Sequence, residues 1–182
     1  PQAGRDPPSR RTSNRELGAR LIDALLDLTR IANGNLLLRH QPCDVQSLVA
    51  LGVEMVRSDA QGKRQTMEID LAAERSHVTG DPARLQQVFW NLLKNAVKFT
   101  PESGRLSVRS RDMEDRLAVE ISDSGIGISP ETIERIFLPF EQAGAVSADH
   151  RVPGLGLGLP IPRAILDLHG GSIRADGGGL GQ

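Results

Sequence analysis

Apolar residues recur at helical spacing along Asp81 to Thr100, DPARLQQVFWNLLKNAVKFT, and the rest of the chain is organised around this stretch. At 100° per residue, Leu85, Val88, Phe89, Leu92, Leu93, Ala96 and Phe99 fall on one side, while Arg84, Gln87, Asn91, Asn95 and Lys98 fall within an arc of roughly 80° on the other. Asp81 is placed to cap the free N–H groups of the first turn, and Pro82 occupies the first helical position, where its missing donor costs nothing. A second helical pattern starts behind Asp44, the expected N-cap, and runs to about Gln61 with Val45, Leu48, Val49, Gly52, Met55 and Val56 as its packed stripe. A third begins at Arg15, with Leu17, Leu21, Ala24, Leu28 and Ile31 widened by Ile22, Leu25 and Leu26. That face is too broad for a lone solvated helix and suits a bundle or a dimer. Asn33-Gly34 should end it, followed by extended chain through LLLRHQP.

Strict alternation marks strands at Met67, Ile69 and Leu71, at Leu106 and Val108, and at Leu117, Val119 and Ile121. The last two should form an antiparallel hairpin across Asp112 to Asp115, and Ser172 to Asp176, with Ile173 and Ala175 alternating, offers a further strand. Helices and strands mix without a regular βαβ repeat, so the fold class is α+β, with helices on one face of a mixed sheet.

Composition narrows the possibilities. A chain of 182 residues can bury one good core, so one domain with an extension is expected. Pro1 to Asn14 is rich in Pro, Arg and Ser with almost no large apolar residue and reads as disordered or a linker. A net charge of −1 and an aromatic content of 3% leave neither the electrostatic footprint nor the stacking platforms that nucleic-acid binding needs. Cys43 stands alone, which fits a reducing compartment and an inert thiol. No apolar run is long enough to span a membrane and the start lacks a signal-peptide core, so the expected location is cytoplasmic, with any membrane tether outside this stretch.

The polar arc of the central helix carries two carboxamides one turn apart and then a lysine. A solvated helix would give the same two-faced pattern but would usually turn Glu and Lys outward. Carboxamide oxygens ligate hard cations and lysine suits phosphate. Downstream, the second hairpin strand runs into Asp123-Ser-Gly-Ile-Gly-Ile-Ser129. Its glycines allow close backbone approach to a ligand and Asp123 offers an acceptor, though a turn with a capping Asp explains it equally well. The second loop, Pro153 to Leu159, feeds alternate glycines into PIPRAILDLHGG, a helix with a C-cap at Gly170-Gly171. Free N–H groups and the helix dipole make such a loop an anion site. There is no GK[ST] for a P-loop, and the glycines do not follow a strand as a dinucleotide fingerprint requires.

The asparagine helix, DSGIGIS, IFLPFEQ and GLGLGLPIPRAILDLHGG, in that order from about Leu21 to Asp176, resemble the ATP-binding catalytic domain of sensor histidine kinases. The wider superfamily includes gyrase B subunits, mismatch-repair ATPases and heat-shock chaperones. The resemblance implies a Bergerat-type two-layer sandwich with an N-terminal helix. It implies a linker over residues 1–14, part of a dimerisation helix and its linker over 15–40, and an ATP-binding catalytic domain over 41–182. It gives Asn95 the role of Mg²⁺ ligand, with Asn91 beside it, and brings Lys98 to phosphate. Asp123 would accept from the adenine amino group while Gly125 and Gly127 shape that wall. Gly154, Leu155, Gly156, Leu157, Gly158 and Leu159 would form the hinge and nucleotide contact of a lid spanning roughly Gln142 to Gly158, anchored by Phe137 and Phe140.

Hydrolytic members are similar here but place a glutamate, a general base for water, one turn before the metal asparagine. Asn91 stands there in this chain, so the implied reaction is phosphoryl transfer from ATP to a histidine of a dimerisation domain, serving a response regulator, with a homodimer in the full-length protein. The alternatives are an ATP-hydrolysing conformational switch and a binding module without catalysis. None of His40, His77, His150 or His169 has the family's acceptor context, and His169, at a helix end, reads as a cap or packing residue. Pro160 and Pro162 depart from the family but fall in a first helical turn that tolerates them, at the cost of phosphate donors. Where the family continues into a further strand this sequence reaches Gln182, so an unfilled sheet edge and reduced stability are expected.

Overall fold

Two helix starts and a three-stranded sheet fix the site-bearing part of the molecule. A computed structural model describes residues 25–31, 33–133, 135–141 and 156–177. The chain divides into two compact units, Pro1–Leu37 and Leu38–Gln182. In the first, α1 (residues 25–31) ends at Asn33-Gly34, where Gly34 N–H donates to Ile31 O and Asn35 N–H to Arg30 O, with Gly34 at φ +67°. Leu25 and Leu26 on α1 are exposed, in keeping with a face wider than one helix can bury. The expected linker over residues 1–14 and the start of this helix lie outside the described residues, as does most of the expected lid.

In the second unit, β1 (Gln41–Asp44) pairs antiparallel with β3 (His77–Gly80), Gln41 opposite Gly80 and Asp44 opposite His77. Each strand delivers the cap of a long helix. Asp44 closes β1 and caps α2 (Val45–Gly62), its carboxylate accepting from Gln46 N–H; Asp81, directly after β3, caps α3 (Pro82–Phe99), accepting from Ala83 and Arg84 N–H at 3.1 and 3.2 Å. The far end of α3 is held from outside the helix. Lys63 Nζ donates to the carbonyls of Val97, Lys98 and Thr100 at 2.8, 2.9 and 3.0 Å, placing a cation at the negative end of the helix dipole. Gln65 Nε2 adds bonds to Val97 O and Thr100 O.

The sheet runs β2 (Thr66–Leu71), β4 (Arg105–Met113), β5 (Arg116–Asp123), with β2 parallel to β4 and β4 antiparallel to β5, so it is mixed as the sequence predicts. The hairpin turn is the two residues Glu114 and Asp115, tighter than the alternation alone gives, and Glu114 takes φ +48°. Val45, Val49, Val53, Val56 and Ala60 of α2 pack with Leu85, Phe89, Leu93, Ala96 and Val97 of α3 over Leu106 and Val108 of β4. Leu117, Val119 and Ile121 of β5 pack against this core. The result is an α+β two-layer sandwich. Cys43 is part of the core, and burial pushes its thiol up, which keeps it from forming the reactive thiolate.

Three details differ from the sequence reading. On α2, Met55 is 59% exposed and Leu48 only half-buried, and Val53 and Ala60 join Val45, Val49, Gly52 and Val56 in the buried stripe. On α3, Val97 is buried where Leu92 and Phe99 are half-buried. Helices bury the residues that face a particular neighbour, and both stripes are rotated slightly from the arc that period alone selects. Ser172 to Asp176 forms no strand: residues 171–177 have no ladder partner, because alternation of two apolar residues supplies a face but no pairing. Two short helices complete the unit, α4 (Pro130–Ile133) and α5 (Pro160–Leu168). Among the described residues, no helix is long and apolar enough to cross a membrane.

The Lys63 cap gives a direct test of how α3 is held. Lys63→Met should lower stability by about 1–2 kcal/mol, since it removes a charge-assisted cap from partly buried carbonyls. A shift of the urea midpoint at constant slope measures this. An unshifted midpoint would mean that water replaces the ammonium at no cost.

Candidate functional site

The polar face of α3 is the floor of the site, and two loops come to it. Asn91 and Asn95 lie one turn apart, both half-buried, and between them and the N-terminus Arg84 Nη1 donates to Gln87 Oε1 at 2.8 Å. The second glycine loop meets α3 at Asn95. A Cβ added to Gly158 would stand 2.7 Å from Asn95 Nδ2, 3.0 Å from Oδ1 and 3.2 Å from Cγ, so bare backbone rests on the carboxamide and any side chain there would displace it. The first loop meets α3 one turn later. A Cβ at Gly125 would fall 2.9 Å from Phe99 O and 2.3 Å from Asp123 Oδ1.

Asp123 ends β5 with its carboxylate turned to this loop: Oδ1 accepts from Gly125 N–H at 2.8 Å. Although Asp123 is open to water on one side, burial of its carboxyl raises the pKa above the usual carboxylate range. The Gly125 N–H and then the Thr100 hydroxyl pull the other way. The Thr100 hydroxyl proton goes to Ala96 O at 2.7 Å, so its hold on Asp123 is secondary. The capping role foreseen for Asp123 is therefore present, and it uses one of the two carboxylate oxygens. Gly127 lies two residues on, at φ +73°.

Lys98 follows Asn95 by one turn. Its ammonium lies 4.8 Å above the Phe99 ring, and burial lowers its pKa. It also borders a cleft with Ser58, Asp59, Lys63 and Lys94, where Lys94 Nζ pairs with Asp59 at 2.6 Å.

Among the expected lid residues, Gly154 and Leu155 lie outside the described residues. The two flanks are joined by backbone: Phe140 N–H donates to Gly156 O at 3.1 Å, with Phe140 at φ +66° and Gly156 at φ +67°. Phe140 thus ties the flank through its main chain, its ring being 63% exposed. Phe137 is half-buried beneath the Arg163 guanidinium of α5, 5.4 Å from ring centroid to cation. Leu157 is buried and Leu159 half-buried, and Leu159 makes no side-chain cap bond as it leads into α5. Pro160 and Pro162 occupy the first and third positions of α5 and lack N–H groups, which leaves Ile161 as the donor between them.

The donor set fits a magnesium-bound nucleotide. Carboxamide oxygens are hard ligands, and Mg²⁺ is normally held by few protein groups, keeping waters and substrate phosphates. Among the described residues no three His, Cys, Asp or Glu side chains converge on a metal position, so phosphate and water would complete the shell. The roles of Gly158 as a seat for Asn95 and of Lys63 and Gln65 as the brace of α3 do not arise from the sequence reading. The Lys63 contacts cross 34 to 37 residues, and no local pattern carries such a separation.

Residues 80–180 match the family described as histidine kinase-, DNA gyrase B-, and HSP90-like ATPase. The chain is 34% identical over 153 residues to the histidine protein kinase DivJ of Caulobacter vibrioides, covering 84% of this chain and 25% of DivJ. In structure it is similar to a mycobacterial sensor histidine kinase, MprB, with a TM-score of 0.66 and 29% identity over 76% of this chain and 85% of that one. Full-length ShkA in complex with AMPPNP is also similar, with a TM-score of 0.71 and 26% identity, covering 97% of this chain and 38% of ShkA. The chain thus spans a minor part of the curated relatives it matches. Four sequence motifs, the mixed sheet under paired helices and these matches agree: the chain belongs to the family of histidine kinase-, DNA gyrase B-, and HSP90-like ATPases, and its relatives in that family are histidine kinases.

Proposed function

We propose that this chain is the ATP-binding catalytic part of a sensor histidine kinase, which passes the γ-phosphoryl group of ATP to a histidine on a dimerisation domain, from where it goes to a response regulator. The observation that carries the reading is the seating of Gly158 on Asn95, which joins the end of the glycine loop to a carboxamide pair on one helix face. In this reading Asn95, with Asn91, holds Mg²⁺, which when bound neutralises phosphate charge. Lys98 and the Ile161 N–H take phosphate oxygens, and Asp123 reads adenine against the Gly125–Gly127 wall. Phe137 and Phe140 hold the flank of a lid that runs to Gly158. That ShkA is similar and was solved with an ATP analogue supports the choice of nucleotide.

Asn91 separates this reading from ATP hydrolysis. A carboxamide takes no proton from water at neutral pH, so the residue one turn before Asn95 orients rather than activates. Residues 41–182 would form the catalytic domain and 15–40 part of a dimerisation helix with its linker, working in a homodimer on the cytoplasmic side.

The test is phosphoryl transfer with radiolabelled ATP and Mg²⁺. The chain alone should acquire no acid-labile, base-stable label, and a separately supplied dimerisation domain should acquire it. Label on this chain alone would show that one of its own histidines is an acceptor. Rapid phosphate release with no phosphoprotein would instead establish a hydrolytic switch.

A further inference from the structure

His169 ends α5 and reaches the first residue of the α3 segment. Its Nδ1 lies 2.7 Å from Ile165 O, and its Nε2 lies 2.9 Å from the backbone N of Asp81. A carbonyl only accepts and an amide N–H only donates, so Nδ1 carries the proton and Nε2 the lone pair: one neutral tautomer meets both partners. The ring sits on the bare backbone of Gly80, where a Cβ would come within 2.9 Å of its Cδ2, and the His40 ring lies tilted beside it at 5.6 Å. The Asp81 N–H belongs to the cap residue and has no place in the intrahelical ladder, so His169 satisfies a donor that the fold would otherwise leave over.

The consequence reaches the other end of α5. This helix of nine residues is a rod of roughly 13 Å. Its N-cap, Leu159, follows Gly158, which rests on Asn95, and its C-cap is His169, which holds Asp81. Both attachments are to α3, fourteen residues apart on it by sequence number, and α5 packs along α3 between them. Pro160, Ile161, Pro162 and Ile165 bury α5, and with prolines at its first and third positions the side-chain hydrogen bond that ties it to the α3 cap comes from its His169 end.

We propose that His169 is a positioning residue for the nucleotide site: by pinning the end of α5 to Asp81 it sets where Gly158 bears on Asn95, and thereby the pose of the Asn95 carboxamide. This rests on the reading that Asn95 faces the nucleotide, and the two are separable by experiment. His169→Phe keeps an aromatic ring and loses the acceptor. His169→Gln can set Oε1 where Nε2 stood. Should the Phe variant not fold, His169→Asn, which is too short to reach Asp81, takes its place.

On the whole chain without nucleotide, the side-chain amide resonances of Asn95, assigned by their loss in Asn95→Ala, should move in His169→Phe and return in His169→Gln. With Mg-ATP, calorimetry should give about tenfold weaker binding for His169→Phe, recovery for His169→Gln, and no further loss when His169→Phe is added to Asn95→Ala. Asn95 resonances that stay in place in a folded His169→Phe, or an equal loss of affinity in both backgrounds, would overturn the proposal. Resonances that move in a chain that binds no ATP would uphold the positioning and refute the nucleotide reading instead.

Discussion

Gly158→Ala should abolish most of the magnesium-dependent affinity for ATP while leaving the fold intact. The added methyl would stand 2.7 Å from Asn95 Nδ2, closer than real Cβ contacts come, and a tight 3.0 Å from Oδ1, so the carboxamide must swing away. Gly158 does not have a positive φ, so alanine carries little backbone penalty there, and the whole effect falls on Asn95. An interaction with a charged partner is worth about 1.5–3 kcal/mol, so the loss should be about ten- to a hundredfold. Gly156→Ala makes the contrast. There φ is +67° and a Cβ would meet Glu141 O at 2.5 Å, so that variant should damage the loop itself. Calorimetry with and without Mg²⁺, beside circular dichroism, separates the two. Asn95→Ala combined with Gly158→Ala should bind no worse than Asn95→Ala alone; wild-type affinity in Gly158→Ala would refute the seating.

How much of this is legible in the sequence follows from the range over which each cause acts. The bounds of α3 are written locally, in Asp81, Pro82 and the apolar period, and the structure places the caps at Asp81 and Thr100. The same holds for Asp44, for the end of α5, where Gly171 N–H donates to Leu166 O, and for the β4–β5 pairing. The ribbon of β1 and β3 leaves no such local mark in the sequence. Each strand is four residues long, with one buried position, too short for alternation to register. Ser172 to Asp176 failed the other way, showing alternation without a pairing partner. Within the site, residue types pointed to Asn91, Asn95 and Asp123 because their chemistry is intrinsic. The Gly158 seat, the Lys63 brace and the His169 pin are contacts across the fold, and nothing in their neighbours in sequence announces them.

Asp123→Asn should raise stability at neutral pH and invert the choice of base. Burial raises the Asp123 pKa, so the folded state holds the proton more tightly than the unfolded chain. The contribution of this group to stability is fully present below the ordinary aspartate pKa and is lost as pH rises through the raised folded value. At pH 7.5 the ionised carboxylate is therefore a cost that asparagine removes. The melting temperature of Asp123→Asn should equal or exceed that of wild type at pH 7.5, and its advantage should shrink toward pH 4.5. The turn survives, because the Asn Oδ1 can accept from Gly125 N–H as Asp123 Oδ1 does at 2.8 Å. That choice turns the Asn amide nitrogen to the position of the second carboxylate oxygen, replacing an acceptor for the adenine amino group with a donor. Guanine presents a carbonyl oxygen there and gains what adenine loses. With a charge-assisted bond worth about 1.5–3 kcal/mol, the ATP-to-GTP affinity ratio should fall by about ten- to a hundredfold. Titration calorimetry with both nucleotides on wild type and Asp123→Asn measures it, and an unchanged ratio in a folded variant would reduce Asp123 to the cap of the Gly125 turn.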